Sequence, residues 1–116
     1  MKNIKNNVQL IGNLGKDVEL FTFDSGNKKA IFTIATNEYY KNNKGEKVED
    51  TQWHNIVAWG NLAENMASTL KKGMEVVVNG KLTNRSYDDK EGQRRYVTEV
   101  VAREFLKVTK KEAVPF

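Results

Sequence analysis

Segments of strand length that are rich in β-branched and aromatic residues fill most of this 116-residue chain. Turn sequences of Asp, Asn, Ser and Gly separate them, because Gly readily adopts positive φ and Asp and Asn tolerate it. Asp24–Asn27 predicts a hairpin turn, whereas Asn42–Gly45 and Asp88–Gly92 predict longer loops. The predicted strand segments are Val8–Leu14, Val18–Phe23, Lys29–Tyr40, Thr51–Trp59, Met74–Tyr87 and Arg95–Val108.

One stretch between these segments has a helical pattern. Asn61 is a good N-cap residue, and Glu64 three positions later completes a variant of the capping box. The two lysines before Gly73 suit the negative C-terminus of a helix, and Gly73 suits a left-handed cap. Apolar residues recur every four positions, at Leu62, Met66 and Leu70. The sequence therefore predicts a helix over about residues 62–72.

The order of these elements predicts an all-β fold. Three strand regions, one helix and two long strands joined by a hairpin match the OB-fold, a five-stranded Greek-key barrel with one α-helix between strands 3 and 4. Gly12 and Gly80 interrupt long strands, where a small barrel needs to bend. The alternative is an open α+β sandwich with the helix on one sheet face. The length favours one domain, predicted as residues 1–109 with a short flexible tail over 110–116.

Composition excludes several kinds of chemistry. The chain has no cysteine, which excludes disulfides, thiolate catalysis and cysteine metal sites, and its only histidine is His54. No nucleophile elbow or phosphate-binding loop is present. We therefore expect no enzyme activity, cofactor or metal. No stretch resembles a membrane helix or a secretory signal, so the expected location is the cytoplasm.

The charge balance suits an anionic partner. Nineteen Lys and Arg against fifteen Asp and Glu give a net charge of +4 and a pI near 9.3. Residues 59–116 carry eleven positive and eight negative charges and so hold most of the excess. The candidate phosphate contacts are Lys41 and Lys44, which follow Tyr40, and Lys81 and Arg85, which share a strand face with Tyr87.

Aromatic residues interleave with these cations. Trp53 and Trp59 stand six positions apart, so an extended strand places both on one face, with His54 on the other. Exposed rings stack with the bases of single-stranded nucleic acid, each worth about 1–3 kcal/mol. Alternation identifies two faces without saying which is buried, so a core position for the two indoles stays open. Tyr40 and Tyr87 lie beside turns among charged residues, which favours exposure.

The sequence also resembles bacterial single-stranded DNA-binding proteins, in the expected order over roughly residues 4–108. The segments that carry the resemblance are Val8–Asp17, Phe32–Asn37, Thr51–Glu64, Lys72–Gly73 with Val76–Leu82, and Tyr96–Val100. The resemblance implies an OB-fold homotetramer that wraps single-stranded DNA and is associated with the nucleoid. It places the family's stacking rings on Tyr40, Trp53, Trp59 and Tyr87, and it places His54 at a subunit interface.

The resemblance implies a function without catalysis: sequence-independent binding and protection of single-stranded DNA in replication, recombination and repair. An OB-fold RNA chaperone, a primosome-type accessory protein and an OB-fold nuclease are the alternatives. Long members of the family end in an acidic tip that recruits replication and repair proteins. Pro115 and Phe116 resemble the end of this tip, but the preceding Lys110 and Lys111 are basic.

Overall fold

Strands dominate residues 4–108, the part of the chain that the computed structural model describes. Within this range the chain forms six strands and one helix. Their bounds are β1 (Val8–Leu14), β2 (Glu19–Thr22), β3 (Lys28–Lys41), β4 (Lys47–Trp59), α1 (Gly60–Thr69), β5 (Glu75–Asp88) and β6 (Arg94–Lys107). The predicted tail over residues 110–116, with Pro115 and Phe116, lies outside the described residues. In the described range no helix is both long and apolar enough to cross a membrane.

The sheet closes into a barrel. Its strand order is β1-β5-β6-β4-β3-β2, and β1 also pairs with β3, so five long strands of the described chain form a ring. The short β2 pairs with the start of β3. All pairs are antiparallel except β4 with β6, where Asn55 lies opposite Glu99. This ring, with α1 between its third and fourth strands, confirms the predicted OB-fold. The open sandwich is wrong because Asn13 of β1 pairs with Ala35 of β3 and closes the sheet.

The inner faces of the strands and one side of α1 form the hydrophobic core. Ala63 and Met66 of α1 are fully buried, as the helical pattern predicts. The core consists mainly of aliphatic side chains, together with Phe32 and Met66, that pack between the barrel wall and the helix. Its largest fully buried members are Ile34, Ile56, Met66, Leu70, Val76 and Val78. Burial of such a side chain contributes about 1.5–3 kcal/mol, so these positions stabilise the barrel that carries the outer surface.

The predicted bend at Gly80 is confirmed, whereas at Gly12 the structure shows a close approach of two strands. The β5–β6 register shifts by one residue between Asn79 and Gly80, which marks a β-bulge. A Cβ at Gly80 would lie 2.2 Å from the carbonyl oxygen of Val101, and one at Gly12 would lie 2.3 Å from that of Ala35. Real Cβ atoms do not approach backbone so closely. Both positions therefore require glycine because neighbouring strands cross there in close contact.

The turns differ from the prediction in length. Three hairpins of the described chain have the same type of three-residue loop. The last residue of each loop is a glycine, and Gly26, Gly45 and Gly92 adopt φ of 90°, 75° and 80°. In two of them a side-chain oxygen, from Asn42 or Asp89, accepts backbone N–H bonds two and four residues ahead. The predicted longer loops are therefore tight turns. For this reason β3 and β4 run further into their hairpin than the predicted strands.

The helix begins earlier and ends earlier than predicted. Its N-cap is Trp59, which makes no side-chain capping bond, so the capping box from Asn61 is wrong. Glu64 instead forms an ion pair with Lys28 at the start of β3. The C-cap is Leu70, whose backbone is extended.

Contacts with β1 explain the early end of the helix. The Gly73 N–H donates to the Leu14 carbonyl at 2.9 Å, and the Lys72 N–H donates to Asp17 Oδ1 at 2.7 Å. These bonds take the chain after Leu70 away from the helix axis and lead it into β5. Gly73 does adopt positive φ, 87°, but in this turn rather than as the helix cap. The two lysines lie beyond the helix.

Gly80→Ala should lower the free energy of unfolding by about 1–3 kcal/mol, because the added methyl group overlaps the Val101 carbonyl at the bulge. Chemical denaturation followed by circular dichroism measures this loss. The adjacent exposed Lys81→Ala is the control, expected within about 0.5 kcal/mol of the original protein. Equal stability of the two variants would contradict the close approach at Gly80.

Candidate nucleic-acid interface

The register of β3 and β4 places the two tryptophans on the outer face of the barrel. Ile56 and Ala58 are fully buried in the core, whereas the side chains of Trp53 and Trp59 are 61% and 49% exposed. The predicted separation of faces is confirmed, and a core position for the indoles is wrong. His54 lies opposite the buried Ile34 and so belongs to the inner face.

Trp53 lies over the end of β1. A Cβ at Gly15 would lie 2.5 Å from the indole ring of Trp53 and 3.2 Å from Thr33 Oγ1. The ring therefore packs closely over a residue without a side chain, while most of its surface stays accessible to solvent. A planar group can contact the free side of this ring.

Trp59 is the centre of a second group of rings that the sequence analysis missed. Phe23 stacks on Trp59 with ring centroids 6.3 Å apart and planes 24° apart. Lys29 Nζ lies 5.2 Å from the centroid of the Trp59 ring. Phe21 pairs with Lys29 across β2 and β3, and Lys29 pairs with Trp59 across β3 and β4. The sequence does contain a signal for this group: Phe21 and Phe23 stand two positions apart just before a turn, a spacing that places both rings on one face of a strand.

Arg85 has a different environment from the one predicted. Its Nε donates to Glu99 Oε1 at 2.7 Å, and Glu99 is 8% exposed. The hydrogen bond to Glu99 and the charge of that carboxylate raise the pKa of Arg85 above its ordinary value. The guanidinium also lies 5.8 Å from the ring centroid of Tyr87, which is half-exposed. Arg85 therefore holds Glu99 and lies against Tyr87, whereas Lys81 on the same face is exposed and forms no ion pair with a described residue.

Two adjacent tyrosines near the tip of the β3–β4 hairpin lie on opposite faces of the sheet. The register places Tyr39 on the face of Trp53 and Tyr40 on the opposite face, with His54. Both rings are more than half exposed. Lys47 Nζ lies 4.4 Å from the ring centroid of Tyr39, so the ring on the Trp53 face carries a cation. The predicted Lys41 and Lys44 are exposed at the same tip.

His54 lies in a shallow depression between β1 and the β3–β4 hairpin. Its Nε2 is 3.0 Å from Thr36 Oγ1, and the side chain is partly buried. The depression has a volume of about 420 Å³ and includes Gln9 and Ile11 of β1. Ile11 is 51% exposed, so an apolar side chain borders the depression. No carboxylate is recorded in a hydrogen bond or ion pair with His54 in the described chain.

Asp89 stabilises the turn between β5 and β6 and also forms an ion pair. Asp89 Oδ2 accepts from Arg95 Nε at 2.9 Å, and Oδ1 accepts the N–H groups of Glu91 and Gln93. The bond from Arg95 and the backbone bonds lower the pKa of Asp89 below its ordinary value. Within residues 4–108 no group of three or more His, Asp or Glu side chains lies close enough to hold a metal ion.

A closed OB barrel with half-exposed rings and lysines on one outer face is typical of domains that bind oligonucleotides or oligosaccharides. The chain matches the model of the Single-strand binding protein family over residues 5–108. This match covers most of its length, and the chain belongs to that family.

Individual relatives agree with this assignment. The chain is 47% identical over 97 residues to Single-stranded DNA-binding protein 1 of Chlorobaculum tepidum, a match that covers 83% of this chain and 60% of that protein. It is 41% identical over 108 residues to Single-stranded DNA-binding protein 1 of Xylella fastidiosa, which covers 92% and 79%. This chain therefore spans less than two thirds of the Chlorobaculum relative.

A solved structure has the same fold. The structure titled "Plasmodium falciparum SSB complex with ssDNA" superposes with a TM-score of 0.82 at 27% identity. The superposition covers 94% of this chain and 99% of that one. The OB barrel described above is therefore the fold of this relative as well.

Gly15→Ala should displace the Trp53 indole, because the new Cβ would lie 2.5 Å from the ring. Gly15 is not among the positive-φ glycines, so steric contact, closest with the Trp53 ring, opposes the substitution rather than backbone strain. We expect a red shift of tryptophan emission when Trp59→Phe leaves Trp53 as the only tryptophan. In the matched protein with Trp53→Phe, emission from Trp59 should not change. A shift in the second protein alone would contradict the packing of Trp53 on Gly15.

Proposed function

We propose that this protein binds single-stranded DNA without sequence preference and thereby protects it during replication, recombination and repair. The observation that carries the proposal is the exposure of Trp53 and Trp59 on one outer face of the barrel. Unpaired bases have two flat apolar faces, and stacking on a ring is possible for every base. The proposed activity is binding alone, without a chemical reaction.

Family membership supports DNA as the ligand. The relatives from Chlorobaculum and Xylella are named single-stranded DNA-binding proteins. The Plasmodium structure with the same fold is titled as a complex with single-stranded DNA. On this chain the bases would stack on Trp53, Trp59 and Tyr87, which are exposed rings on the outer face.

Lysines supply the phosphate contacts in this proposal. Lys81 is exposed on the outer face, and Lys41 and Lys44 are exposed at the tip of the β3–β4 hairpin. An ammonium group on a flexible stem can follow a mobile backbone without a fixed geometry. Arg85 has a positioning role instead, since its charge is paired with Glu99 and its guanidinium lies against Tyr87.

We also propose that the protein assembles as a homotetramer in which His54 lies at a subunit contact. The depression beside His54 and the exposed Ile11 support this, because an apolar side chain at its edge gains from burial by a second copy. We further propose that protein partners bind Pro115 and Phe116, which lie outside the described residues.

Trp53→Ala should weaken binding to poly-dT by about 1–3 kcal/mol, because one base loses its stacking partner. Poly-dT should quench the tryptophan fluorescence of the original protein strongly. Titrations followed by fluorescence anisotropy of a labelled oligonucleotide measure the affinity of both proteins. Light scattering provides the control, since the assembly should keep its mass.

Three outcomes would contradict either the proposed site or the proposed function. Normal binding by Trp53→Ala would remove the exposed indole from the site. Equal affinity for DNA and RNA strands of one sequence would favour an RNA chaperone or an accessory protein instead. Loss of labelled oligonucleotide over hours with magnesium would support a nuclease.

His54→Glu should lower the mass of the assembly, because a charge at a subunit contact loses its hydration. DNA binding should then weaken only at low protein concentration. Ile11→Glu is a second variant for the same contact. Because the Ile11 side chain is exposed, this substitution should leave the fold of the subunit intact. Lys90→Glu, in an exposed turn, is the control. An unchanged mass for both interface variants at sub-micromolar concentration would contradict the assembly.

A further inference from the structure

A second group of exposed rings lies beyond the stacking residue Trp53. We call Phe21, Phe23, Lys29 and Trp59 the Trp59 cluster. The three rings are 43%, 46% and 49% exposed. Large apolar side chains that adjoin each other at the surface mark binding sites more often than isolated ones do. These rings are not part of the core, to which Ile56 and Ala58 of β4 belong.

We propose that Phe21 and Phe23 enlarge the stacking surface of Trp59 into a wider base-stacking subsite and that Lys29 contacts a phosphate there. The subsite holds nucleotides of the same DNA strand that stacks on Trp53. This inference rests on the proposed function. It adds β2 and the start of β3 to the DNA-binding surface, a region without any of the residues predicted from the sequence.

The Trp59 cluster lies on the same face of the barrel as Trp53. Trp53 and Trp59 stand six residues apart on one face of β4, which is about 20 Å at the rise of a strand. Val57 between them is buried and Asn55 is exposed, so the path carries a buried apolar residue and a polar one rather than large exposed rings. An extended strand of several nucleotides can cover this distance.

The cluster has the chemistry of a nucleotide site rather than of a purely apolar contact. Lys29 pairs across the sheet with both Phe21 and Trp59. Its Nζ lies 5.2 Å from the Trp59 ring and is in no ion pair with a described residue, whereas the neighbouring Lys28 is paired with Glu64. A cation next to stacked rings matches a base attached to its phosphate, since one part of the ligand is flat and the other is anionic.

The backbone of the turn holds Phe23 in place before any ligand binds. The Phe23 N–H donates to the Asn27 carbonyl at 2.9 Å, and the Gly26 N–H donates to the Phe23 carbonyl at 2.8 Å. Phe23 therefore closes the hairpin while its ring stacks on Trp59. Because these bonds exist in the free protein, binding a base here orders little additional backbone.

The test compares Phe23→Leu with Tyr96→Leu as a matched control. Tyr96 of β6 is an exposed ring on the face opposite to that of Tyr87, so its loss should leave binding unchanged. Phe23→Leu should weaken binding of long dT oligonucleotides about fivefold, the loss of roughly one stacking contact. It should leave binding of oligonucleotides too short to extend past Trp53 unchanged. Lys29→Gln is a second variant, expected to lower affinity and its dependence on salt.

Photocrosslinking provides an independent readout on the full chain. Iododeoxyuridine in a long oligonucleotide should label the tryptic peptide of residues 17–28, whose aromatic residues are Phe21 and Phe23. If the original protein binds dT but Phe23→Leu and Lys29→Gln bind as tightly and this peptide stays unlabelled, the subsite is wrong and the proposed function stands. If the original protein does not bind dT, both proposals are wrong. Melting temperatures of the variants exclude a folding defect.

Discussion

Closure of the barrel depends on backbone passing directly against backbone. At Gly12 and Gly80 a side chain would collide with a carbonyl of the neighbouring strand, so the absence of Cβ lets β1 approach β3 and lets β5 bend along β6. The parallel pairing of β4 with β6 completes the ring. Without these approaches the strands would form an open sheet whose inner face α1 could not cover. Every other feature of the molecule follows from this closed ring.

The ring also determines which side chains reach the surface. Once Ile56 and Ala58 fill the interior, the alternation of β4 places Trp53 and Trp59 outside. Neighbouring strands then supply what lies beside each ring: Gly15 leaves room under Trp53, and Phe23 stacks on Trp59. The exposed rings therefore have defined orientations, although they are not part of the core. A flat ligand meets a prepared surface.

Local patterns in the sequence predict much of this structure. Turn glycines and runs of β-branched residues locate the strands, and even spacing separates the faces of β4 correctly. The first helical turn is not predictable in this way, because Glu64 pairs with Lys28, far away in the sequence. Whether Tyr39 or Tyr40 shares the face of Trp53 depends on the register of the β3–β4 hairpin. A short, tight turn sets that register, where the sequence predicts a longer loop.

Pairing between distant residues limits the prediction of the site more than the fold. Arg85 in isolation is a free cation, and only the β5–β6 pairing shows that Glu99 lies beside it. The Trp59 cluster is hidden for the same reason, since Phe21 and Lys29 meet through cross-strand pairing. A sequence pattern shows which face a residue occupies. It does not show which charged or aromatic neighbour occupies the next strand.

The ion pairs of the β5–β6 hairpin have a consequence for the response of the protein to electrolytes. Arg85, Arg94 and Arg95 each face a carboxylate, at distances of 2.7, 3.7 and 2.9 Å. Cations that are already neutralised displace few condensed counterions from a polyanion, so the count of basic residues overstates the entropic gain available on binding. The salt dependence of binding is then set mainly by lysines outside the ion pairs of the described chain, such as Lys29 and Lys81, rather than by the whole count of basic residues.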